Sequence, residues 1–389
     1  MGTLGDVKPF TALARSLISA GGRVVIATNE NWRDLVADTG AEFYPISPPD
    51  PPQTGRDDLS FFAQQVIPSF RRSFHYLSRL LEQAPHTMVV FRSNMLGAAC
   101  AVERSGCRSI RILLQPSAVP SFQRPPWPLT ALTEGPLGSI GRNAVMPAIN
   151  FISYLNSPYR QYIDRFRKSI GLSSPIGKSP RASPATDIML CPEWYALPQS
   201  DWPPATILAG FPFDRRPVAA SSIAKDAIVF TSGTGTIDGP DFARKSAIVA
   251  ANVGKRALVL SKSLSHAESH DSMVTTMPFV DLAAVLPGAA AIVHHGGIGT
   301  IAEAVRAGVP QLIAAGRFDQ PDNAVRIAQL GLGGAILSNR PDPGVISATL
   351  LRVLASTHVR SQLRVASDLV KQEDGIAIAS EFILGQVAA

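Results

Sequence analysis

Cysteine is scarce in this chain: Cys100, Cys107 and Cys191 are the only three in 389 residues, an odd number with no CxxC spacing. That usage argues against a disulfide framework and for a reduced compartment, here the cytoplasm. Charge is also sparse, at 17% of residues against 46% hydrophobic, so the chain is globular rather than disordered. Long apolar runs are missing: nothing approaches the roughly 18 uncharged apolar residues of a membrane-spanning helix. The opening MGTLGDVKPF lacks the basic and apolar regions of a signal peptide. Basic clusters with interleaved aromatics are absent, which speaks against a nucleic-acid partner. A net charge of +6 favours an anionic ligand or an anionic membrane surface. A chain of 389 residues is long enough for two domains with separate cores.

The richest segment is AAAIVHHGGIGTIAEAVRAGVPQLIAAGRFDQPDNAVRIAQLG, running from Ala290 to Gly331. A short apolar run gives way to His294 and His295, then to Gly296, Gly297 and Gly299, and a helical pattern follows with Ile301, Ala304 and Val305. Strand, glycine turn and helix start, in that order, make an anion site. Glycines let backbone N–H groups approach a phosphate, and the helix N-terminus adds partial positive charge. A second strand near Gln311–Ala314 leads into a polar cluster of Arg317, Asp319, Gln320, Asp322 and Asn323. Phosphate chemistry beside hydroxyl-binding chemistry suggests a nucleotide-sugar site. Arg317 and Asn323 either line a sugar pocket or cap the following helix.

This segment closely resembles the donor motif of the GT-B glycosyltransferases that use nucleotide sugars, the UDP-glycosyltransferase family. The resemblance implies that His295 and Thr300 contact the diphosphate, Glu303 holds the ribose hydroxyls, and Asp319-Gln320 bind the sugar. It also implies a metal-independent reaction that needs no cofactor, the nucleotide sugar being a co-substrate. Glu303 favours a nucleotide with both ribose hydroxyls, hence UDP over dTDP.

Apolar runs and helical patterns alternate along the chain, which predicts α/β architecture with parallel sheets. Strands are expected at Val24–Thr28, Glu42–Ile46, Met88–Phe91, Ile110–Leu114, Asp187–Cys191 and Ile207–Phe211, and then at Ile228–Ser232, Ala257–Leu260, Val274–Thr276, Ile292–His295, Gln311–Ala314 and Ala335–Leu337. Residues 1–212 form the expected acceptor-binding Rossmann-like domain, 213–225 a linker, and 226–375 the nucleotide-sugar domain. The family resemblance implies that the helix at 376–389 braces the first domain. Two doubly wound domains facing across a cleft, with ligand at the strand C-termini, is the GT-B fold.

The opening GTLGDVKPFTALARSL is a second anion-friendly turn, without the spacing of a Walker A loop. Gly2 and Gly5 permit a tight turn, Pro9 sits near a helix start, and Asp6 projects from the turn. The segment resembles the G-x-x-G-D-x-x-P loop of bacterial and sterol-type glycosyltransferases. In many relatives a His at the Asp position acts as general base on the acceptor hydroxyl, and that role carries over to Asp6; the alternative is a turn carboxylate that caps backbone N–H groups. Only Met1 precedes this loop. The central strand of a Rossmann-like domain is therefore expected to be missing, through an upstream start or a truncation. A gap in the sheet follows, with Leu13 and Leu17 losing packing partners. A truncated, catalytically impaired nucleotide-sugar-binding protein is thus one alternative.

Further features follow from the same resemblance. Thr231-Ser232-Gly233-Thr234-Gly235 resembles the S-x-G-T loop that closes over diphosphate and sugar; a simple glycine turn is the other reading. Phe279-Val280-Asp281-Leu282 occupies the place of the W-x-P-Q segment, with Phe279 stacking on the base and the Leu282 backbone bonding its edge. Asp281 replaces the usual proline. His266 and His270, four apart, read as a solvated surface pair rather than a metal site. Proline-rich stretches at Pro45–Pro52 and Pro116–Pro136 lie among aromatics: Phe61, Phe62, Phe70, Phe74, Tyr76, Trp127, Phe151, Tyr154, Tyr159 and Tyr162. These are either loop packing and ordinary core, or an apolar acceptor pocket with a loop able to touch a membrane surface. The CPEWY segment from Cys191 looks like that of lipid-directed members, rhamnosyltransferases among them. The function expected is inverting transfer of a hexose from a UDP-sugar to a hydroxyl of a small hydrophobic acceptor: a lipid, sterol or secondary metabolite. A dTDP-rhamnose-dependent glycolipid rhamnosyltransferase is the alternative.

Overall fold

The computed structural model describes residues 3–47, 66–119, 121–132, 138–146, 148–149, 152, 157–172, 186–214, 216–233, 240–262, 273–338 and 340–388. Thr234, Gly235, Phe61, Phe62, Phe151, Tyr154, His266, His270, residues 48–52 of the first proline-rich stretch and residues 120 and 133–136 of the second lie outside the described residues. The chain divides into two compact units, one of Asp6–Phe213 with Gly375–Ala389, the other of Asp214–Asp374 with Thr3–Gly5.

In the first unit, β1 (Val25–Asn29) pairs in parallel with β2 (Glu42–Ser47) as a two-stranded sheet. A separate parallel sheet has the order β3-β4-β5-β6, formed by Val89–Arg92, Ser109–Leu113, Thr186–Met189 and Ile207–Leu208. Strand alternation puts Ile110 and Ile112 of β4 into one core with Ile188 and Leu190. Arg111, between them, turns the other way and pairs with Asp187, its partner in register on β5, through two bonds of 2.7 Å. β6 is shorter than expected because Gly210, at φ 97°, takes the chain out of strand geometry.

The helix Leu4–Ser19 corrects two expectations. Asp6 stands in its first helical turn, not on a loop, and Pro9 lies inside the helix, where it withholds one backbone bond. Leu13 and Leu17 keep their packing. Leu13, 3% exposed, joins the core of the four-stranded sheet with Ala12, and Leu17 packs against it. Ala14 enters a second core with Val36 and Ala41, flanked by Val24, Ile26 and Phe43 around β1 and β2. One helix therefore serves two sheets that share no backbone bonds among the described residues. The helix Gly375–Ala388 completes the first of these cores with Ile376, Ala379 and Ile383. A side chain at Gly375 would stand 2.5 Å from the Gly210 carbonyl oxygen, so that approach requires glycine.

In the second unit, six parallel strands have the order β12-β11-β10-β7-β8-β9. They are β7 (Ala227–Thr231), β8 (Arg256–Leu260), β9 (Val274–Met277), β10 (Ala291–His294), β11 (Gln311–Ala314) and β12 (Gly333–Ile336). Both faces are covered. Ile228, Phe230, Ala257, Val259, Ala291 and Val293 face one core, while Val229, Leu258, Leu260 and Ile292 face the other. Strands buried on both sides need continuous apolar runs, and these supply them. The end of the expected linker is packed: Ala224 is fully buried in the second core, and the Ser221 amide bonds the Ala284 carbonyl. The winding reverses between β7 and β10, where a doubly wound sheet opens a crevice at the strands' carboxyl ends.

Candidate functional site

Two loops leave that crevice. After β7 come Ser232 and Gly233, the latter at φ 86° with its N–H donating to Thr231 Oγ1 at 3.1 Å. After β10 come His295, Gly296 and Gly297. The His295 ring lies so close that a Cβ at Gly233 would be 2.4 Å from its Cε1, and one at Gly297 2.7 Å from its Nε2. The glycines are thus required by the ring between them. His295 bonds the Thr231 backbone, while its Nδ1 is buried without a hydrogen-bond partner. An orphaned buried nitrogen at a glycine loop is an unmet demand for a polar ligand atom.

Gly297 is the N-cap of the helix Ile298–Ala307 and has no side chain to cap it. The free first-turn amides and the helix dipole make this end a site for negative charge. Gly299 and Thr300 sit in the same first turn; the Thr300 N–H closes back to the Gly297 carbonyl at 3.0 Å. Glu303, one turn on, is ion-paired with Arg306. Gly308, at φ 66°, ends the helix in the left-handed conformation.

Burial pushes the pKa of His295 down to about 4 and that of His294 to about 3. Both rings are therefore neutral at physiological pH. A neutral ring has one N–H, so His295 donates to an anion only when that proton sits on Nδ1 rather than toward the Thr231 backbone, and it offers no standing positive charge. His294 was given no role by the sequence. Its Nδ1 accepts the Gly296 N–H at 3.2 Å, so Nε2 carries the proton and donates to Gln311 Oε1 at 3.1 Å. It braces the glycine loop from beneath.

After β11, Gln320 Oε1 accepts the N–H groups of Gly316 and Arg317, each at 3.1 Å. Its amide NH2 is the end that suits a hydroxyl oxygen. Phe318 adopts φ 58° and is 91% exposed, and Asp319 is the N-cap of the helix Gln320–Gln329. Asn323 is fully buried and donates to the Gly296 carbonyl and to Asp319 Oδ2, both at 2.9 Å. The structure thus brings together Gly233, His295, Gly296, Gly297, Asp319 and Gln320.

The short helix Leu282–Val285 packs against Ile298–Ala307. Asp281 caps it by accepting the Ala283 N–H at 3.0 Å, which gives this carboxylate a local task. Phe279 is half-exposed, whereas the Leu282 side chain packs on the core. In the first unit, Asp6 Oδ1 pairs with Arg92 Nη2 at 2.9 Å, a partner the sequence did not reveal. Ser121, Phe122 and Gln123 are tied to the Asp201 carboxylate at 2.8, 2.6 and 3.4 Å, which anchors the second proline-rich stretch. Among the described residues no helix is long and apolar enough to cross a membrane, and no three His, Cys, Asp or Glu side chains cluster as metal ligands do.

Residues 1–105 match the profile of the glycosyltransferase family 28 N-terminal domain, and residues 257–382 that of the erythromycin biosynthesis protein CIII-like C-terminal domain. The chain is 26% identical to the O-mycaminosyltylonolide 6-deoxyallosyltransferase of Streptomyces fradiae, over 98% of this chain and 95% of that protein. It is 27% identical to the vancomycin aglycone glucosyltransferase of Amycolatopsis orientalis, over 100% of this chain and 96% of the relative. Among solved structures, the calicheamicin glycosyltransferase CalG4 superposes with a TM-score of 0.72 at 18% identity, covering 100% of this chain and 97% of that one.

Proposed function

This chain belongs to the GT-B family of glycosyltransferases, and from that premise we propose that it transfers a hexose, with inversion, from a UDP-sugar to a hydroxyl of a small hydrophobic secondary metabolite. The observation that supports this donor reading best is the orphaned Nδ1 of His295, buried against an uncapped helix N-terminus at the sheet's switch point. Such a place suits a diphosphate: the helix amides offer N–H groups, and Thr300 adds a hydroxyl. Glu303 takes the ribose, Asp319 accepts from sugar hydroxyls, and Gln320 donates to them. Phe279 stacks on the base.

In the reaction the acceptor oxygen bonds to the anomeric carbon as the bond from that carbon to the diphosphate oxygen breaks. The acceptor proton passes to the Asp6 carboxylate, and the nucleoside diphosphate leaves with the bonding electron pair. Arg92 orients Asp6 through the 2.9 Å ion pair. Exposed Phe122, Trp127 and Leu197 in the first unit suit an apolar acceptor. A second reading, a dTDP-deoxysugar donor, is favoured by the 6-deoxyhexose in the name of the Streptomyces relative.

Thermal stabilisation by UDP, dTDP, UDP-glucose and dTDP-rhamnose, against His295→Ala, tests the donor site. A melting shift that vanishes in the variant supports the reading, and the responding nucleotide selects between the two donors. No shift with any of them, in a protein that melts cooperatively, sinks it. Turnover with a panel of hydrophobic alcohols, lost in Asp6→Ala while donor binding persists, supports the base assignment.

A further inference from the structure

The amide of Asn323 has two N–H protons, and both are used. One goes to the Gly296 carbonyl and one to Asp319 Oδ2, each at 2.9 Å. Both partners are acceptors, so the NH2 end of the side chain must face them. The residue is 0% exposed and its bond to Gly296 is buried, so water does not compete there, while the bond to Asp319 is part-buried.

The two partners belong to different tasks. Gly296, at φ 96°, shares its carbonyl's peptide plane with the N–H of Gly297, the helix N-cap. A peptide plane is rigid, so fixing the Gly296 oxygen fixes the direction of the Gly297 N–H. The same glycine's own N–H is held by His294 Nδ1 at 3.2 Å. His294 and Asn323 therefore hold Gly296 by its donor and its acceptor, and a Cβ there would strike Ile313 Cγ2 at 2.8 Å. Asp319, at the other end of the strut, starts the next helix and is partly exposed.

Resting on the donor reading above, we propose that Asn323 is a positioning residue that couples the diphosphate loop to the sugar-binding carboxylate, so that each recognises its part of the donor better when the other is in place. The coupling is reciprocal, as any equilibrium coupling must be. It reaches a ligand that the sugar carboxylate never touches. Asp319→Ala removes one end of the strut, so the Asn323 NH2 group keeps its bond to Gly296 but no longer ties that loop to the next helix. Asp319→Asn keeps an acceptor for the same bond while removing the charge.

The test is calorimetric titration of the full chain with UDP and dTDP, which carry no sugar, and with the matching nucleotide sugars. Asp319→Ala is expected to weaken the sugarless nucleotide about fivefold or more, whereas Asp319→Asn leaves it near wild type. Both variants lose affinity for the nucleotide sugar. In an Asn323→Ala background, Asp319→Ala has no further effect on the sugarless nucleotide. Asp319 is partly exposed, so its variants fold, and thermal melts check Asn323→Ala. Wild-type nucleotide affinity in Asp319→Ala overturns the coupling while leaving the donor site standing. Additive losses in the double variant overturn it too. No nucleotide binding by the wild type overturns the donor reading and this inference with it.

Discussion

The two units use the same alternation of apolar strand and amphipathic helix, yet they hold their candidate functional residues by different means. In the second unit β7, β10 and β11 each have a strand on both sides. His295 and the glycines leave strands that are pinned along both edges. In the first unit β1 and β3 are each bonded along one edge among the described residues, and side-chain packing by the helix Leu4–Ser19 joins the two sheets. Asp6 stands on that helix, held by apolar contacts and the Arg92 ion pair rather than by a backbone ladder. The proposed donor-side residues are thus built into the second unit's sheet, and the candidate base is carried by a helix resting on the first unit's sheets.

The contrast can be broken first where it is stiffest. Gly233→Ala adds a methyl 2.4 Å from the His295 ring at a residue with φ 86°. Displacing that ring by about 1 Å is expected to cost roughly 100-fold in nucleotide affinity, read by calorimetry. Retained affinity would mean that the loop is not rigid. In the first unit, Leu13→Ala is expected to destabilise by about 3 kcal/mol. Hydrogen exchange should then quicken in both sheets of that unit, because one helix supports them. Leu258→Ala, a buried residue of β8, should loosen the second unit and leave those sheets unchanged.

Acid sharpens the comparison further. Burial lowers His294 and His295 from 6.5 to about 3 and about 4. Between those values the unfolded chain binds more protons than the folded one, so stability rises with pH there. The contribution is complete above about 6.5 and is lost as pH falls toward 4 and then 3, by roughly 1 kcal/mol per pH unit for each ring. Urea midpoints at several pH values measure this loss, and His295→Gln should halve the slope. The smallest effect is expected at Phe318, whose φ of 58° is costly for any residue with a Cβ. Phe318→Gly should stabilise the chain by up to about 1 kcal/mol, visible as a raised melting temperature.

All twelve expected strands form; β7, β8 and β10 were the plainest, because a parallel strand buried on both faces must be an apolar run, and such runs are visible one residue at a time. The order of strand, glycine turn and helix was equally legible, since Gly296, Gly297 and Gly299 follow β10 and open a helix. Asp6 was misplaced because Pro9 usually marks a helix start, whereas here the helix already runs through it. The braces were the least legible. His294 meets Gln311 through the side-by-side placement of β10 and β11, and Asn323 meets Gly296 across 27 residues. Such pairs are created by tertiary register, and no local pattern announces them. Arg92 was hidden for the same reason: only the fold sets β3 against the first helix.

The first unit finishes its core with Ile376, Ala379 and Ile383, on a helix that follows the whole second unit in the chain. A ribosome therefore delivers the start of that core long before its last pieces. During the interval, Ile110, Ile112, Ile188 and Leu190 have their final apolar neighbours still to come. Domains usually fold as units in the order of synthesis. Here the second unit has all its strands in one stretch and can close at once, so the unit translated first is the one completed last. Emergence of the helix Gly375–Ala388, rather than of the chain's first half, is what closes that core.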